Sequence, residues 1–321
     1  MSSTAGVFFI RAALTAFVVL FTTAMSGRVT ANEPVSVVQS LEFRSAVTPP
    51  VYVVPPALKQ HESLFRAGLQ TLPEAFLVAG ALSIGSRDLR LTEEQSASLT
   101  PLMTDVYNRI IADPAFRGVP SALPWCFDSR KHDAGHYFLY HPAAIPEKPR
   151  CIVFLHGYGG NFQFYTWVLK EEFPDAVILA PSWGVSWATG SPIYLQNMMQ
   201  DAEMRIGRKL PKPWLMAISG GGNNGFRLYN HQPENYEGYV CLAAAPDQVV
   251  ARQLRPQLQI LMLNGSTDRM IPAAIARRQA ALAQQRVPSL RFTEIPGDHF
   301  FLLSQREPTF GAIRQFMNGS P

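Results

Sequence analysis

The stretch Trp214-Leu-Met-Ala-Ile-Ser219-Gly220-Gly221-Gly222 passes from an apolar run straight into a serine and then into small residues. A short apolar run bounded by turn residues reads as a buried strand. A serine on a sharp turn from such a strand into a helix has a strained backbone, and its hydroxyl projects above the sheet edge. That hydroxyl becomes a nucleophile for acyl transfer when a base and an acid stand beside it. Small residues two before and two after it, Ala217 and Gly221, let strand and helix approach closely. The pattern is that of a nucleophile elbow, G-x-S-x-G, with Ala217 in the place of the first glycine. A helix N-terminus beneath Ser219 also favours negative charge developing there.

Three further segments supply what acyl transfer needs. Cys151-Ile-Val-Phe-Leu-His156-Gly157-Tyr158-Gly159-Gly160 is an apolar run entering a glycine-rich turn. Glycines let backbone N–H groups turn inward, toward the oxyanion of a tetrahedral intermediate. The expected donors are Gly157 or Tyr158 from this loop and Gly220, directly after the nucleophile. Leu263-Asn-Gly-Ser-Thr-Asp268 ends another apolar run on an acid, and Ile295-Pro-Gly-Asp-His299 places a histidine after the last strand-like segment. The chain order Ser, Asp, His is one of those in which this triad occurs. His299 is then the base and Asp268 the acid that orients it.

Rival readings exist for several of these residues. Asp247 follows another strand end and could support His299 instead. Asp298 neighbours His299 in sequence and is expected to point elsewhere. His156 suits a structural role in the oxyanion loop, and it is also a candidate for the substrate pocket with Trp183 and Trp187. Gly220-x-Gly222-x-x-Gly225 matches a dinucleotide fingerprint, with Asp247 as the ribose acid. That match falls late in the chain and leaves His156-Gly157 and His299 without a role. Asn264-Gly-Ser and Asn318-Gly-Ser match a glycosylation acceptor.

These residues must be carried by regular elements. Strand-like runs occur at Tyr137–Tyr140, Cys151–Leu155, Ala176–Ala180, Trp214–Ile218, Gly238–Ala243, Leu258–Leu263 and Leu290–Ile295. Several are continuously apolar, as in a parallel sheet covered on both faces. Helical segments lie between them, near 164–172, 195–209, 223–230 and 272–285, so the expected class is α/β. Upstream, Leu58, Leu64, Phe65, Leu69, Leu72, Phe76 and Leu77 have helical spacing, broken by Pro73. Thr92-x-x-Gln95 caps a further helix to about Asp113. This extension is amphipathic and is expected to pack on the strand-and-helix region downstream of it. Residues 32 to about 57, rich in proline, read as a linker or surface strap.

The four motifs together resemble the catalytic domain of the α/β-hydrolase superfamily over residues 135–317, and lidless esterases, polyester-depolymerase-like and peptidase-like members in particular. The resemblance implies a mostly parallel sheet of about eight strands with helices on both faces, a Ser-His-Asp triad, and no metal or other cofactor. Substrate identity does not follow from the resemblance; the expected activity, from the triad, is cleavage of a small-molecule or polymeric ester through an acyl-enzyme. An exported peptidase or polymer depolymerase with the same triad is the alternative, and a non-catalytic binding protein on the same fold is a second. Lids in this superfamily usually follow the strand that here is Gly238–Ala243; the short span before Leu258 predicts an open pocket walled by Tyr158, Trp183, Trp187 and the helical extension.

Arg11 precedes an uncharged apolar stretch, Ala12–Met25, and Val29-Thr30-Ala31 offers a small-residue cleavage site. Residues 1–31 are therefore expected to be a signal peptide, 32–115 the linker and helical extension, and 116–321 the catalytic domain. The expected destination is the periplasm or the exterior, with no stable membrane insertion after cleavage. The 321-residue chain carries a net charge of +4, of which Arg11 and Arg28 supply two, and no basic run. That excludes an obvious nucleic-acid partner. Of the three cysteines, Cys151 and Cys241 fall in buried strands and suit small hydrophobes better than a disulfide framework. Oligomeric state has no sequence signal.

Overall fold

The computed structural model describes residues 36–54, 56–85, 92–127 and 133–319. The expected signal peptide, residues 1–31, lies outside the described residues.

Eight strands make one sheet: β1 (Val37–Arg44), β2 (Ala134–His141), β3 (Cys151–Leu155), β4 (Val177–Ser182), β5 (Trp214–Ile218), β6 (Gly238–Leu242), β7 (Ile260–Gly265) and β8 (Arg291–Ile295). Their order across the sheet is β1-β2-β4-β3-β5-β6-β7-β8. β2 runs antiparallel to both neighbours, and the six strands β3 to β8 are mutually parallel. The order reverses around β3, and open α/β sheets hold their ligands beyond the carboxyl ends of the strands at such a reversal. This strand order, with its one antiparallel member, is that of the α/β-hydrolase fold.

Alternation along each strand divides the core. Ile152 and Phe154 of β3 face one apolar layer, while Cys151, Val153 and Leu155 face the other. The first layer is completed by α3 (Glu93–Ala112), α5 (Gln163–Glu172) and α11 (Arg306–Met317). The second is completed by α6 (Pro192–Ile206), α7 (Gly222–His231), α8 (Gln248–Gln253) and α9 (Ala273–Gln284). Helices on both faces explain why β3, β4, β6 and β7 are buried along their whole length. All three cysteines are buried and unpaired. Among the described residues no helix is long and apolar enough to cross a membrane.

The sheet departs from the expected division of the chain in one place. Val37–Arg44, expected to belong to a linker, forms the edge strand β1, paired with β2 from Val37↔His141 to Arg44↔Ala134. Val38 and Phe43 are buried there. The stretch is extended, as the prolines after it suggest, but its pairing partner lies some ninety residues further on, where no local pattern could announce it.

The helical extension is α1 (Glu62–Thr71), α2 (Glu74–Gly85) and α3, with Pro73 between the first two. A short helix, α4 (Leu123–Phe127), and the last helical turn before α11, α10 (Phe301–Ser304), complete the α-helices among the described residues. Thr92 and Gln95 form a reciprocal capping box at the start of α3. Leu99, Met103, Val106, Tyr107 and Ile110 bury one face of that helix. A buried acid, Glu74, adds a polar clamp to this packing. Its Oε1 accepts from Tyr107 Oη (2.8 Å) and from the Gln163 N–H at the start of α5 (2.6 Å), and its Oε2 accepts from Ser121 Oγ (2.6 Å). Burial pushes its carboxyl up to about 7, against the pull of those three hydrogen bonds.

Two outcomes are expected at this clamp. Glu74→Ala leaves three donors unpaired and costs roughly 2–4 kcal/mol of stability. Because the folded pKa is raised, the folded chain holds the proton more tightly than the unfolded chain. The group's contribution is complete below pH 4.5 and is lost as pH rises toward about 7. Thermal melts of the wild type and of Glu74→Gln across that window should show a difference that falls with pH and then levels off. A difference independent of pH would contradict the assignment.

Candidate functional site

Ser219 stands between β5 and α7 with φ of 51°, in the left-handed region that non-glycine residues rarely occupy. The turn is tight because its neighbours carry little. A Cβ on Gly221 would lie 2.6 Å from the His156 carbonyl oxygen and 2.9 Å from that of Leu155. Ala217 is fully buried between Leu155 and Cys241 on the adjoining strands, so the methyl in place of the usual glycine is accommodated. The glycines of the dinucleotide-like pattern serve the same close approach. A Cβ on Gly222 would collide with Ala244, and one on Gly225 with the Tyr239 ring. They set the packing of α7 on β6.

His299 and Asp268, the candidate base and acid, come from the loops after β8 and β7. His299 Nε2 is 2.8 Å from Ser219 Oγ, and His299 Nδ1 is 2.7 Å from Asp268 Oδ2. Asp268 Oδ1 accepts from the N–H groups of Met270 (2.8 Å) and Ile271 (2.9 Å). With Nδ1 facing a carboxylate that only accepts, the ring carries its proton there and presents a free Nε2 lone pair to the serine. Asp268 and His299 are both buried, which shields the pair from water. Asp247 is engaged elsewhere: it caps α8 through Val250 N (2.8 Å) and pairs with Arg227 (2.6 Å). The Val250 N–H and then the Arg227 guanidinium hold its carboxyl below the usual range. Asp298 accepts from the Phe300 N–H, away from His299.

Backbone contacts join the two loops. Ser266 N–H donates to Ile295 O (2.8 Å) and Thr267 N–H to Gly297 O (2.9 Å). Gly265 lies so close to the other loop that a Cβ would reach 2.8 Å from the Asp298 carbonyl carbon and collide with its oxygen. Gly297 turns with φ of 125°, open to glycine alone.

The glycine-rich loop expected to bind the oxyanion follows β3. Gly157 packs on the serine, with its Cβ direction 3.1 Å from Ser219 Cβ. The Tyr158 N–H comes within 3.3 Å of the Cβ direction of Gly220, so it and Gly220 frame the space beside the serine. The Tyr158 side chain is 68% exposed at the rim. His156 is fully buried beneath this loop. Its Nε2 accepts from the Trp183 N–H (3.1 Å), so its Nδ1 carries the proton and donates to the Gly157 carbonyl (2.8 Å). Burial lowers its pKa to about 4, which keeps it neutral.

Three pocket candidates are corrected by this arrangement. His156 and Trp187 are fully buried, and Trp183 is 5% exposed, so none of them walls an open pocket. Trp187 donates its indole N–H to Pro181 O (2.9 Å) and packs against Trp183 and Tyr194. Large aromatic side chains near a site are as readily drawn into the core as left at its rim. Asn264, one glycosylation match, is also buried, with its amide donating to Gly265 O and Ile271 O. Between β6 and β7 stands the six-residue α8.

Sequence reasoning missed the polar cluster under the oxyanion loop. Asn161 donates to Ala180 O (2.6 Å) and Ser182 Oγ (3.2 Å), and His136 bridges Ser182 Oγ (2.8 Å) and Ser40 Oγ (2.7 Å). Cys126 Sγ accepts from the Asn161 N–H. Only the Gly159-Gly160 turn hinted at it; those glycines have φ of 101° and 111° and bring Asn161 down onto the sheet. Among the described residues no group of His, Cys, Asp and Glu could hold a metal ion.

No family model and no curated protein sequence matches the chain. Solved structures do resemble it. An esterase from Pyrococcus furiosus is 9% identical over 60% of this chain and 89% of its own, with a TM-score of 0.49. A thermostable esterase is 16% identical over 60% of each chain, with a TM-score of 0.46. An acylaminoacyl peptidase from Pyrococcus horikoshii is 10% identical over 58% of this chain and 39% of its own, with a TM-score of 0.47. The α/β-hydrolase fold is defined by the strand order and by the tight turn at Ser219.

The close loop contact at Gly265 gives a test of the site's construction. Gly265→Ala should push the Asp298–His299 loop outward, lower the melting temperature, and reduce any Ser219-dependent activity by about 10-fold or more. An unchanged rate and melting curve would show that the two loops are not held together there.

Proposed function

We propose that this protein is a serine hydrolase that cleaves carboxylic esters through an acyl-enzyme. The observation that carries the reading is the unbroken hydrogen-bond chain from Asp268 through His299 to Ser219. Ser219 Oγ attacks the ester carbonyl while His299 Nε2 takes its proton. Asp268 keeps the imidazole in the required tautomer and stabilises the imidazolium. The N–H groups of Gly220 and Tyr158 hold the oxyanion, and the glycine at 157 lets the loop lie close. His299 then protonates the departing alcohol. Water, activated by the same imidazole, releases the acid and frees Ser219.

Turnover of p-nitrophenyl esters should fall by about 10⁴-fold or more in Ser219→Ala, and by about 10⁴-fold in Asp268→Asn, which presents the wrong tautomer. A fluorophosphonate probe should label the wild type on Ser219 and leave Ser219→Ala unlabelled. Undiminished turnover in Ser219→Ala would end this reading. Hydrolysis of esters without hydrolysis of aminoacyl amides separates an esterase from a peptidase, and a panel of acyl lengths on soluble and polymeric esters sets the substrate range.

Export is part of the same proposal and rests on the pattern of residues 1–31. Amino-terminal sequencing of the protein isolated from the expressing cells should begin at Asn32. A chain that keeps Met1 and sediments with membranes would instead mark the segment as an anchor.

A further inference from the structure

The residue after the nucleophile, Gly220, has no side chain, and the place of one is already taken. A Cβ on Gly220 would collide with Ser186 Oγ, and it would stand 3.5 Å from Ser186 Cβ and 3.3 Å from the Tyr158 N–H nitrogen. The hydroxyl of Ser186 and the N–H of Tyr158 therefore border the same small space above Gly220. Ser186 comes from the loop after β4, which no motif in the sequence marked. Resting on the reading of Ser219 as nucleophile, we propose that Ser186 Oγ donates a third hydrogen bond to the ester oxygen that Gly220 and Tyr158 hold.

The hydroxyl has a proton to give. Ser186 Oγ accepts a long hydrogen bond from the Ala188 N–H (3.3 Å), and it donates to no acceptor among the described residues. The side chain is partly exposed, so a substrate can reach it. A donor helps a transition state most when it is already in place and needs no reorganisation. The loop that carries Ser186 is held on both sides. Gly159 N–H donates to Val185 O (2.9 Å), tying it to the oxyanion loop. Trp183 N–H donates to His156 Nε2 (3.1 Å), and the buried Trp187 indole donates to Pro181 O (2.9 Å). Gly184, with φ of 52°, turns the chain between these anchors, and Pro50 of the amino-terminal strap packs against it. The two tryptophans next to Ser186 thus set its position without touching a substrate.

A simple capping role for Ser186 is the alternative, since its oxygen meets the N–H of Ala188. That role concerns a three-residue turn and would show in stability, not in the chemical step. The test compares the wild type, Ser186→Ala, Ser186→Thr and Ser219→Ala on p-nitrophenyl acetate, with melting curves for each. The expected result for Ser186→Ala is a kcat lower by about 10- to 100-fold, with KM and melting temperature close to wild type. Ser186→Thr, which keeps the hydroxyl, should recover most of the rate. A Ser186→Ala enzyme with full kcat overturns the proposal while leaving the Ser219 reading intact. A loss of rate that follows a fall in melting temperature and is not recovered by Thr also overturns it. Turnover undiminished in Ser219→Ala would remove the parent reading and the Ser186 proposal together.

Discussion

Close approach of backbone to backbone at one rim of the sheet is the constraint on which the site depends. Gly221 lies against the carbonyls of Leu155 and His156, and Gly265 lies against the carbonyl of Asp298. The Cβ directions of these residues are blocked by main chain, which cannot swing aside as a flexible side chain would. Through those contacts the ends of β3, β5, β7 and β8 are drawn into one patch. Ser219 accepts a left-handed backbone there because the strand below and the helix behind leave the turn no other path.

The second requirement is that the two imidazoles beneath the rim, His156 and His136, stay neutral with both ring nitrogens hydrogen-bonded. His156 is buried, held near a pKa of 4, and uses both ring nitrogens, one toward each of the two loops that border the serine. His136 lies deeper, with a pKa lowered to about 3, between Ser40 of the edge strand and Ser182 at the end of β4. Burial of a charged imidazole is costly, so desolvation keeps both rings uncharged and leaves each able to donate and accept once. Glu74 joins α2, α3 and the start of α5 at a single buried carboxyl group. Parts of the chain well separated in sequence are thereby locked to the loops of the site.

The amino-terminal part of the chain belongs to this construction and is more than an appendage. β1 closes one edge of the sheet, Pro50 packs on Gly184, and α3 buries an apolar face beside α5. An open edge at β2 would expose unpaired backbone groups, and β1 moves that edge to a strand with polar residues on its outer positions.

Much of the arrangement is legible in the sequence because it is local. Apolar runs of five or six residues give the parallel strands, Pro73 and the Thr92–Gln95 box give helix boundaries, and Ser219, Asp268 and His299 each stand just past a strand end. Those features depend on residues near one another along the chain, so period and turn chemistry reveal them. Tertiary structure alone decided the rest. It paired β1 with a strand some ninety residues away, chose Asp268 over Asp247 as the partner of His299, took Trp183 and Trp187 into the core, and brought Ser186 over Gly220. Each of these outcomes depends on distances between segments remote in sequence, and such distances are set only when helices and strands pack against one another.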